Sequence, residues 1–299
     1  MVSGKRGPQP ALKRVRSLLG ATMPRPYLPP EILDSIVDRL HDDPKTLKKC
    51  CLVSKSWIPR ARKHLFVNIA ILTARDLESW ERSFPNPSTS PACHAKTLQI
   101  GSPHIVTAMG AGAGGWLGGF CSIMKLELDD QRTHAHESEV SLLPFHGFSP
   151  VLKSLRVQFM IIPSSRIFDL MLSFPLLENL AVVALDTSID NGDGSNGLST
   201  VIQRSNPPTF TGSLELFMRG GMEHIARRLL SLPDGINFRK LTLTWFHERD
   251  LSLTMALVER CSCTLESLDI TCSPLGTFIR CPPSLALTTI SSRVWTSFD

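Results

Sequence analysis

Glycines in the middle of the chain match the spacing of a dinucleotide-binding loop. Gly110, Gly112 and Gly115 spell G-x-G-x-x-G after a strand-like segment, and Asp129 and Asp130 follow where an acidic residue would contact the ribose. Such a loop binds pyrophosphate where it opens a helix, because the helix N-terminus stabilises the anion. Every residue of this hexapeptide is Gly or Ala. A glycine-rich loop is therefore the simpler interpretation, and a nucleotide-dependent enzyme remains an alternative.

Four cysteines near the C-terminus could in principle bind zinc. Cys261, Cys263, Cys272 and Cys281 form the pattern C-x-C-x8-C-x8-C. This pattern lacks the paired C-x2-C knuckles of common structural zinc sites. We therefore expect no metal at these residues.

Other residues with catalytic potential do not form a complete set. His134 and His136 lie beside Glu137 and could bind a metal, but a polar loop explains them equally well. Ser122 and Lys125 match S-x-x-K without its accompanying motifs, and neither G-x-S-x-G nor H-E-x-x-H occurs. Because no nucleophile, base and orienting group can be assigned together, we expect a protein that is not an enzyme and needs no cofactor.

The composition is that of a globular chain with short elements. The 299 residues are 42% hydrophobic and include 22 prolines and 19 glycines, which favours frequent turns over long helices. Six of the 32 basic residues lie in residues 1–25, which contain no acidic residue, whereas the other 26 are balanced by 27 acidic residues. We expect a disordered basic tail, which is either merely solvated or contacts an acidic partner or nuclear import factor. The neutral remainder argues against nucleic-acid binding.

Neither a membrane span nor a secretory signal is expected. Residues 97–124 are uncharged and longer than the roughly 20 residues of a span, but they include seven glycines, Pro103 and His104. No apolar stretch follows the first basic residues, so we expect an intracellular protein of the cytoplasm, the nucleus or both. Reduced cysteines fit that compartment.

From residue 26 onward, the apolar spacing indicates two short helices. The first follows a proline and carries apolar residues three and four apart, at Ile32, Leu33, Ile36, Val37 and Leu40. The second carries Leu47, Cys50, Cys51, Val53 and Trp57 before Pro59. About forty residues bury little surface by themselves, so this unit needs a partner or the rest of the chain.

This segment resembles the F-box, the module through which substrate receptors dock on the Skp adaptor of cullin-RING ubiquitin ligases. Its amino-acid sequence is similar to those of the fungal branch of that family. The resemblance is carried by Leu28, Pro29, Glu31, Ile32, Leu33, Ile36, Leu40, Leu47, Val53, Lys55, Trp57, Leu65 and Phe66. Thr46 and Phe66 depart from the family, which often has Asp and Trp there. The alternative is an amphipathic helical hairpin that packs on the rest of this chain.

The resemblance also implies roles for individual residues. Contacts with the adaptor are implied for Leu28, Pro29, Ile32, Leu33, Leu47 and Val53. Internal packing is implied for Ile36, Leu40 and Trp57. Through the adaptor, a cullin becomes the second partner.

The remaining chain repeats the triplet Leu-x-(Leu, Ile or Val). The triplets begin at Leu98, Leu126, Leu155, Leu180, Leu214, Leu241 and Leu268, with spacings of 28, 29, 25, 34, 27 and 27 residues. These spacings match leucine-rich repeats of 20 to 29 residues, apart from the longest, which accommodates the polar segment 186–200. An additional leading strand is predicted at Val67, Asn68 and Ile69.

Helical spacing between triplets completes a strand-and-helix repeat. We therefore predict an α/β fold: F-box helices, then an irregular leucine-rich-repeat solenoid of parallel strands with outer helices. The predicted units are a tail at 1–25, the F-box at 26–66 and the solenoid at 67–299. The chain ends 29 residues after Ile270, the last residue of the last triplet, so its end either caps the solenoid or truncates it.

The predicted function follows from this combination of units. The expected chain is a non-catalytic substrate receptor of an SCF-type ubiquitin ligase, which binds an unidentified protein substrate. Candidate substrate-binding positions are Gln158, Thr242, Thr244 and Asp269 on the strand face. The alternative is a repeat-based protein scaffold without a ligase role.

Overall fold

The computed structural model contains a small helical unit followed by a single parallel β-sheet, an α/β arrangement. It describes residues 28–101, 105, 115–129, 145, 148–158, 164–183, 208, 210–217, 222–233, 235–245, 251–272 and 289–294. The helical unit consists of α1 (Pro30–Arg39), α2 (Pro44–Val53) and α3 (Ile58–Leu65), with a 3-10 turn at Lys55–Trp57. Among the described helices, none combines the length and the apolar character that crossing a membrane requires.

Local signals explain where the first helices begin. Pro30 and Pro44 occupy the first turns of α1 and α2, where a missing backbone N–H costs no helical hydrogen bond. Asp43 caps α2, because its carboxylate accepts hydrogen bonds from the backbone N–H groups of Lys45 and Thr46 at 3.1 and 3.0 Å. The Thr46 hydroxyl donates to the same carboxylate at 2.6 Å. Thr46 thus completes the cap of this helix.

Within the described residues, nine strands form the sheet, and their order in space is their order in the chain. The strands are β1 (Asn68–Ile71), β2 (Thr97–Ile100), β3 (Lys125–Asp129), β4 (Ser154–Gln158), β5 (Asn179–Val183), β6 (Ser213–Phe217), β7 (Lys240–Trp245), β8 (Ser267–Cys272) and β9 (Thr289–Val294). The described connections contain α4 (Ala74–Ser83), α5 (Ser164–Leu172), α6 (Met222–Leu230) and α7 (Leu251–Arg260). Further 3-10 turns lie at Pro87–Thr89, Pro91–His94 and Trp116–Gly119.

The seven triplets lie side by side in the sheet. Leu98 pairs with Leu126, and the same alignment continues through the first leucine of every later triplet. The predicted leading strand pairs in the same register, with Ile69 opposite Leu98. The prediction that the triplets form parallel strands is therefore confirmed.

The triplets anchor the core from one face of the sheet. The first and third residues of each triplet are buried, whereas the middle residues are mostly half-buried on the opposite face. Helices α4 to α7 contribute Leu77, Phe168, Ile225 and Leu257, among others, to the same apolar cluster. The described helices therefore pack on the face of the sheet that carries the leucines.

A shared carbonyl fixes the start of most strands. The backbone N–H groups of Lys96 and Thr97 both donate to the carbonyl of Val67, at 2.7 and 3.0 Å. Equivalent pairs of donors precede or begin β3, β4, β5, β7 and β8. At β6 the second donor, Ser213, instead bonds the side-chain Oδ1 of Asn179 at 2.8 Å. Strands β2 to β8 are thus hydrogen-bonded to their predecessors before the ladder begins.

An aromatic cluster joins the helical unit to the first part of the sheet. Phe66 follows α3 and lies edge-on to Trp80 and Phe84 of the α4 segment, with ring centroids 6.0 and 5.6 Å apart. Trp80 also stacks on the fully buried Phe120, at 5.9 Å. Burial of these rings couples the two units through apolar contact.

Candidate partner-docking site

Most of the predicted adaptor-contacting residues lie on the surface of the helical unit. Leu28, Ile32 and Val53 are 50%, 49% and 69% exposed, which is unusual for large aliphatic side chains. Pro29 is also exposed, and Leu33 is half-buried. The unit therefore presents apolar surface at both α1 and α2.

Two residues of the helical unit differ from the predicted roles. Leu47 was predicted to contact the adaptor, but it is fully buried with Val37 and Ala61 in the core of the unit. Ile36 was predicted to pack internally, but it is 41% exposed. Successive residues of a helix point in different directions. Because Val37 occupies the buried position of α1, its neighbour Ile36 lies at the side of the helix, where it is exposed.

The other two residues with an implied packing role are Leu40 and Trp57. Leu40 and Trp57 are partly buried and pack against the same small core, together with Cys51 and Leu65. This core is separate from the large cluster of the sheet. The helical unit thus has an interior of its own beneath the exposed apolar residues.

Sequence reasoning did not select Leu52, the most exposed large apolar residue in the part of the chain that the structure describes. Its side chain is 88% exposed at the end of α2. The buried face of α2 is formed by Leu47 and Cys50, with Cys51 partly buried beside them. Leu52 and Val53 are apolar but fall outside this stripe of residues at i, i+3 and i+4. Apolar residues outside the buried stripe of a helix indicate a second apolar surface, and this was the sequence signal for Leu52.

A charged cluster holds α1 against α3. Arg60 donates two hydrogen bonds to the Asp38 carboxylate, one of them from Nε at 2.5 Å. His64 Nε2 lies 2.8 Å from the same carboxylate. These contacts hold the pKa of the Asp38 carboxyl well below its ordinary value, with the hydrogen bond from Arg60 as the largest cause and that with His64 as the second. The cluster therefore fixes the position of α1, the helix that carries Ile32 and Ile36, relative to α3.

We expect Asp38→Asn to destabilise the protein at pH 7 and to do so less as the solution becomes acidic. A carboxyl with a lowered folded pKa stabilises the fold above its unfolded pKa of about 3.9, and this contribution is lost as pH falls below that value. Urea midpoints of variant and wild type should therefore begin to converge below about pH 4 and continue to converge as the pH falls further. Asp42→Asn is the matched control, because Asp42 is highly exposed. A gap that widened on acidification would contradict this role.

The free face of the sheet carries a chain of polar contacts. Arg156 on β4 reaches across Ala181 of β5 and donates two hydrogen bonds to Glu215 of β6, at 3.0 and 3.3 Å. Arg156 Nε also donates to Gln158 Oε1 at 3.0 Å, and Gln158 Nε2 donates to Asp129 Oδ2 at 2.7 Å. Side-chain contacts thereby connect β3, β4 and β6, and they span β5.

The predicted substrate-binding positions are not equally accessible. Gln158, Thr242 and Asp269 are half-buried on the free face of the sheet. Thr244 is only 8% exposed, which corrects its prediction as an exposed position. Of the four, Gln158 is engaged in the contact chain just described.

The residues with catalytic potential are not gathered into one site. Burial raises the pKa of the Cys261 thiol to about 11, whereas Cys263 is exposed. Within the described ranges, no group of three His, Cys, Asp or Glu side chains is arranged to hold a metal. Gly110, Gly112, His134, His136, Glu137 and Cys281 lie outside the described residues.

The exposed groups of the helical surface include large aliphatic side chains, which a buried core and a charged cluster support from beneath. Comparisons of the chain with protein-family models, with curated proteins and with solved structures find no match.

Proposed function

We propose that this chain is a substrate-recognition subunit of an SCF-type ubiquitin ligase. In this proposal the helical unit acts as an F-box that docks on a Skp-family adaptor and, through it, on a cullin. The observation that carries the proposal is the exposure of five large aliphatic side chains on this one unit: Leu28, Ile32, Ile36, Leu52 and Val53. Several exposed apolar residues on one small unit are a feature of protein-binding surfaces.

The core of the helical unit supports docking rather than internal packing of these residues. Val37, Leu47 and Ala61 already fill the interior between the helices, and Phe66 already provides an apolar contact with the sheet segment. The five exposed side chains are therefore not needed to hold the unit together. Burying each aliphatic side chain against a partner would contribute roughly 1.5 to 3 kcal/mol.

The sheet is proposed to be an irregular leucine-rich-repeat solenoid that binds the target protein. Support comes from the in-register triplets, from the sequential order of the strands, and from the described helices on one face only. The opposite face is free of described helices and carries polar and charged side chains such as Arg156, Glu215 and Asp269. In repeat proteins, such an extended face is a common binding surface.

We expect the double substitution Leu28→Asp/Ile32→Asp to weaken binding of a purified Skp-family adaptor by more than about tenfold. Two apolar anchors would be replaced by charges that lose their solvation at the interface. Binding is measured by biolayer interferometry on the full chain. The matched control is Leu176→Asp, because Leu176 is also 50% exposed but lies beside β5. Unchanged adaptor affinity in the double variant would refute the docking site.

A protein-binding scaffold without a ligase role is the second candidate. The polar free face of the sheet supports the scaffold function as well as the ligase function, because a protein can bind to that face without an adaptor. Copurification separates the two functions. A ligase subunit brings the adaptor and a cullin with it, whereas a scaffold brings neither.

A further inference from the structure

The second helix of the docking unit has a charge of one sign only. Lys45, Lys48, Lys49 and Lys55 are all exposed, and no acidic residue occurs between residues 44 and 57. In the part of the chain that the structure describes, no carboxylate lies within ion-pair distance of these four ammonium groups. The charge of α2 is therefore available to a partner.

Helical geometry brings these lysines next to the exposed apolar residues. Lys48 lies one turn before Leu52, and Lys49 lies one turn before Val53, so each pair occupies one side of α2. The most exposed aliphatic surface of the unit is thus bordered by cationic side chains. Asp43 at the start of α2 caps the helix through its hydrogen bonds with Thr46 and Lys45, and only a minor attraction links its carboxylate to Lys49.

The first helix has the opposite net sign, because its acidic residues Glu31, Asp34 and Asp38 outnumber its one basic residue, Arg39. Glu31 and Asp34 are exposed beside Ile32, while Asp38 is bound to Arg60 and His64. The docking surface is therefore polarised, with negative charge at α1 and positive charge at α2. A partner that covers both helices can dock without like-charge repulsion in one orientation only.

We infer that the partner surface that covers Leu52 and Val53 is acidic, and that Lys48 and Lys49 accelerate and orient docking by attracting it. This inference rests on the proposed function, because it concerns the same docking unit. Charges at the rim of an interface act mainly on the association rate, and salt screens their effect. The lysines thus determine how fast the partner docks, and the apolar residues determine how long it stays.

The test measures association of the full chain with a purified Skp-family adaptor by stopped flow at 20 mM and 500 mM salt. We expect Lys48→Glu/Lys49→Glu to slow association at low salt by at least about tenfold, with a much smaller difference at high salt. Lys48→Ala/Lys49→Ala should give an intermediate effect while preserving helix propensity. The matched control is Arg62→Glu/Lys63→Glu, which makes the same charge change at exposed positions of α3.

Each outcome distinguishes the two proposals. Slower association in the α2 variants, with a near-normal rate in the α3 control, supports the inference. An equal effect of the α2 and α3 variants, or no effect of either, overturns it while adaptor docking itself stands. If the wild-type chain does not bind the adaptor at all, the proposed function fails, and this inference fails with it.

Discussion

Leu241→Ala should lower the free energy of unfolding by about 2–5 kcal/mol, the range for truncating a leucine in a packed core. Leu241 is fully buried, and it pairs with Leu214 on one side and Leu268 on the other. Truncation therefore leaves a cavity between three consecutive units. Urea unfolding followed by circular dichroism measures the loss.

The control for this substitution is the next residue in the same strand. Thr242 lies in register with Glu215 and Asp269 on the free face and is half-buried. Thr242→Ala should change stability by no more than about 0.5 kcal/mol. Comparable losses at the two positions would contradict the assignment of the two faces. Arg156→Ala is a poorer control, because Arg156 also bonds Glu215 and Gln158.

Gly101→Ala should destabilise the sheet by about 1–3 kcal/mol, which is typical of overpacking at a closely packed position. Gly101 follows β2 and donates a backbone hydrogen bond to Ile71 at 3.0 Å. A Cβ atom there would lie 2.6 Å from the carbonyl oxygen of Leu72 and 2.7 Å from its Cα. Because both are backbone atoms, relieving the clash requires the strands to move apart.

Gly118→Ala provides the comparison for this effect. Gly118 is exposed in the 3-10 turn Trp116–Gly119, and a Cβ atom there would have no heavy atom within 4 Å. The substitution should be neutral or slightly stabilising, because alanine restricts the unfolded chain. Thermal unfolding of both variants tests the pair. A Gly101 variant as stable as the Gly118 variant would rule out the close approach of β2 to Leu72.

The strands could be predicted because the two large apolar residues of each triplet are separated by one residue, which is the spacing of side chains on one buried face of a strand. Leu-x-Leu places two large side chains on one face of a strand, and repetition of the triplet predicts neighbouring strands. β9 was not predicted as a strand. Its sequence has Ile290 followed by Ser291 and Ser292, so the second apolar position of the triplet is lost. Its pairing with β8 extends the sheet beyond the last leucine triplet.

The candidate docking site was only partly predictable. The apolar spacing of α1 contains both Ile36 and Val37, and only the three-dimensional packing decides which of them is buried. Contacts between distant residues left no signal in the sequence. Asp38 and Arg60 are 22 residues apart, and Arg156 and Glu215 are 59 residues apart with a whole strand between them.

The shared carbonyls at the strand starts have a consequence for how such a chain can change in length. Lys96 and Thr97 are aligned by the carbonyl of Val67, and Arg239 and Lys240 by that of Gly212, so the alignment is set where each strand begins. The number of residues in the preceding connection therefore does not affect this alignment. Between Leu180 and Leu214 the chain is several residues longer than elsewhere, yet these leucines still pair directly. There the carbonyl of Glu178 and the side chain of Asn179 together bind the two donors that precede and begin β6. Insertions between strands can therefore accumulate during evolution, or be engineered as tags, without shifting any leucine out of the core.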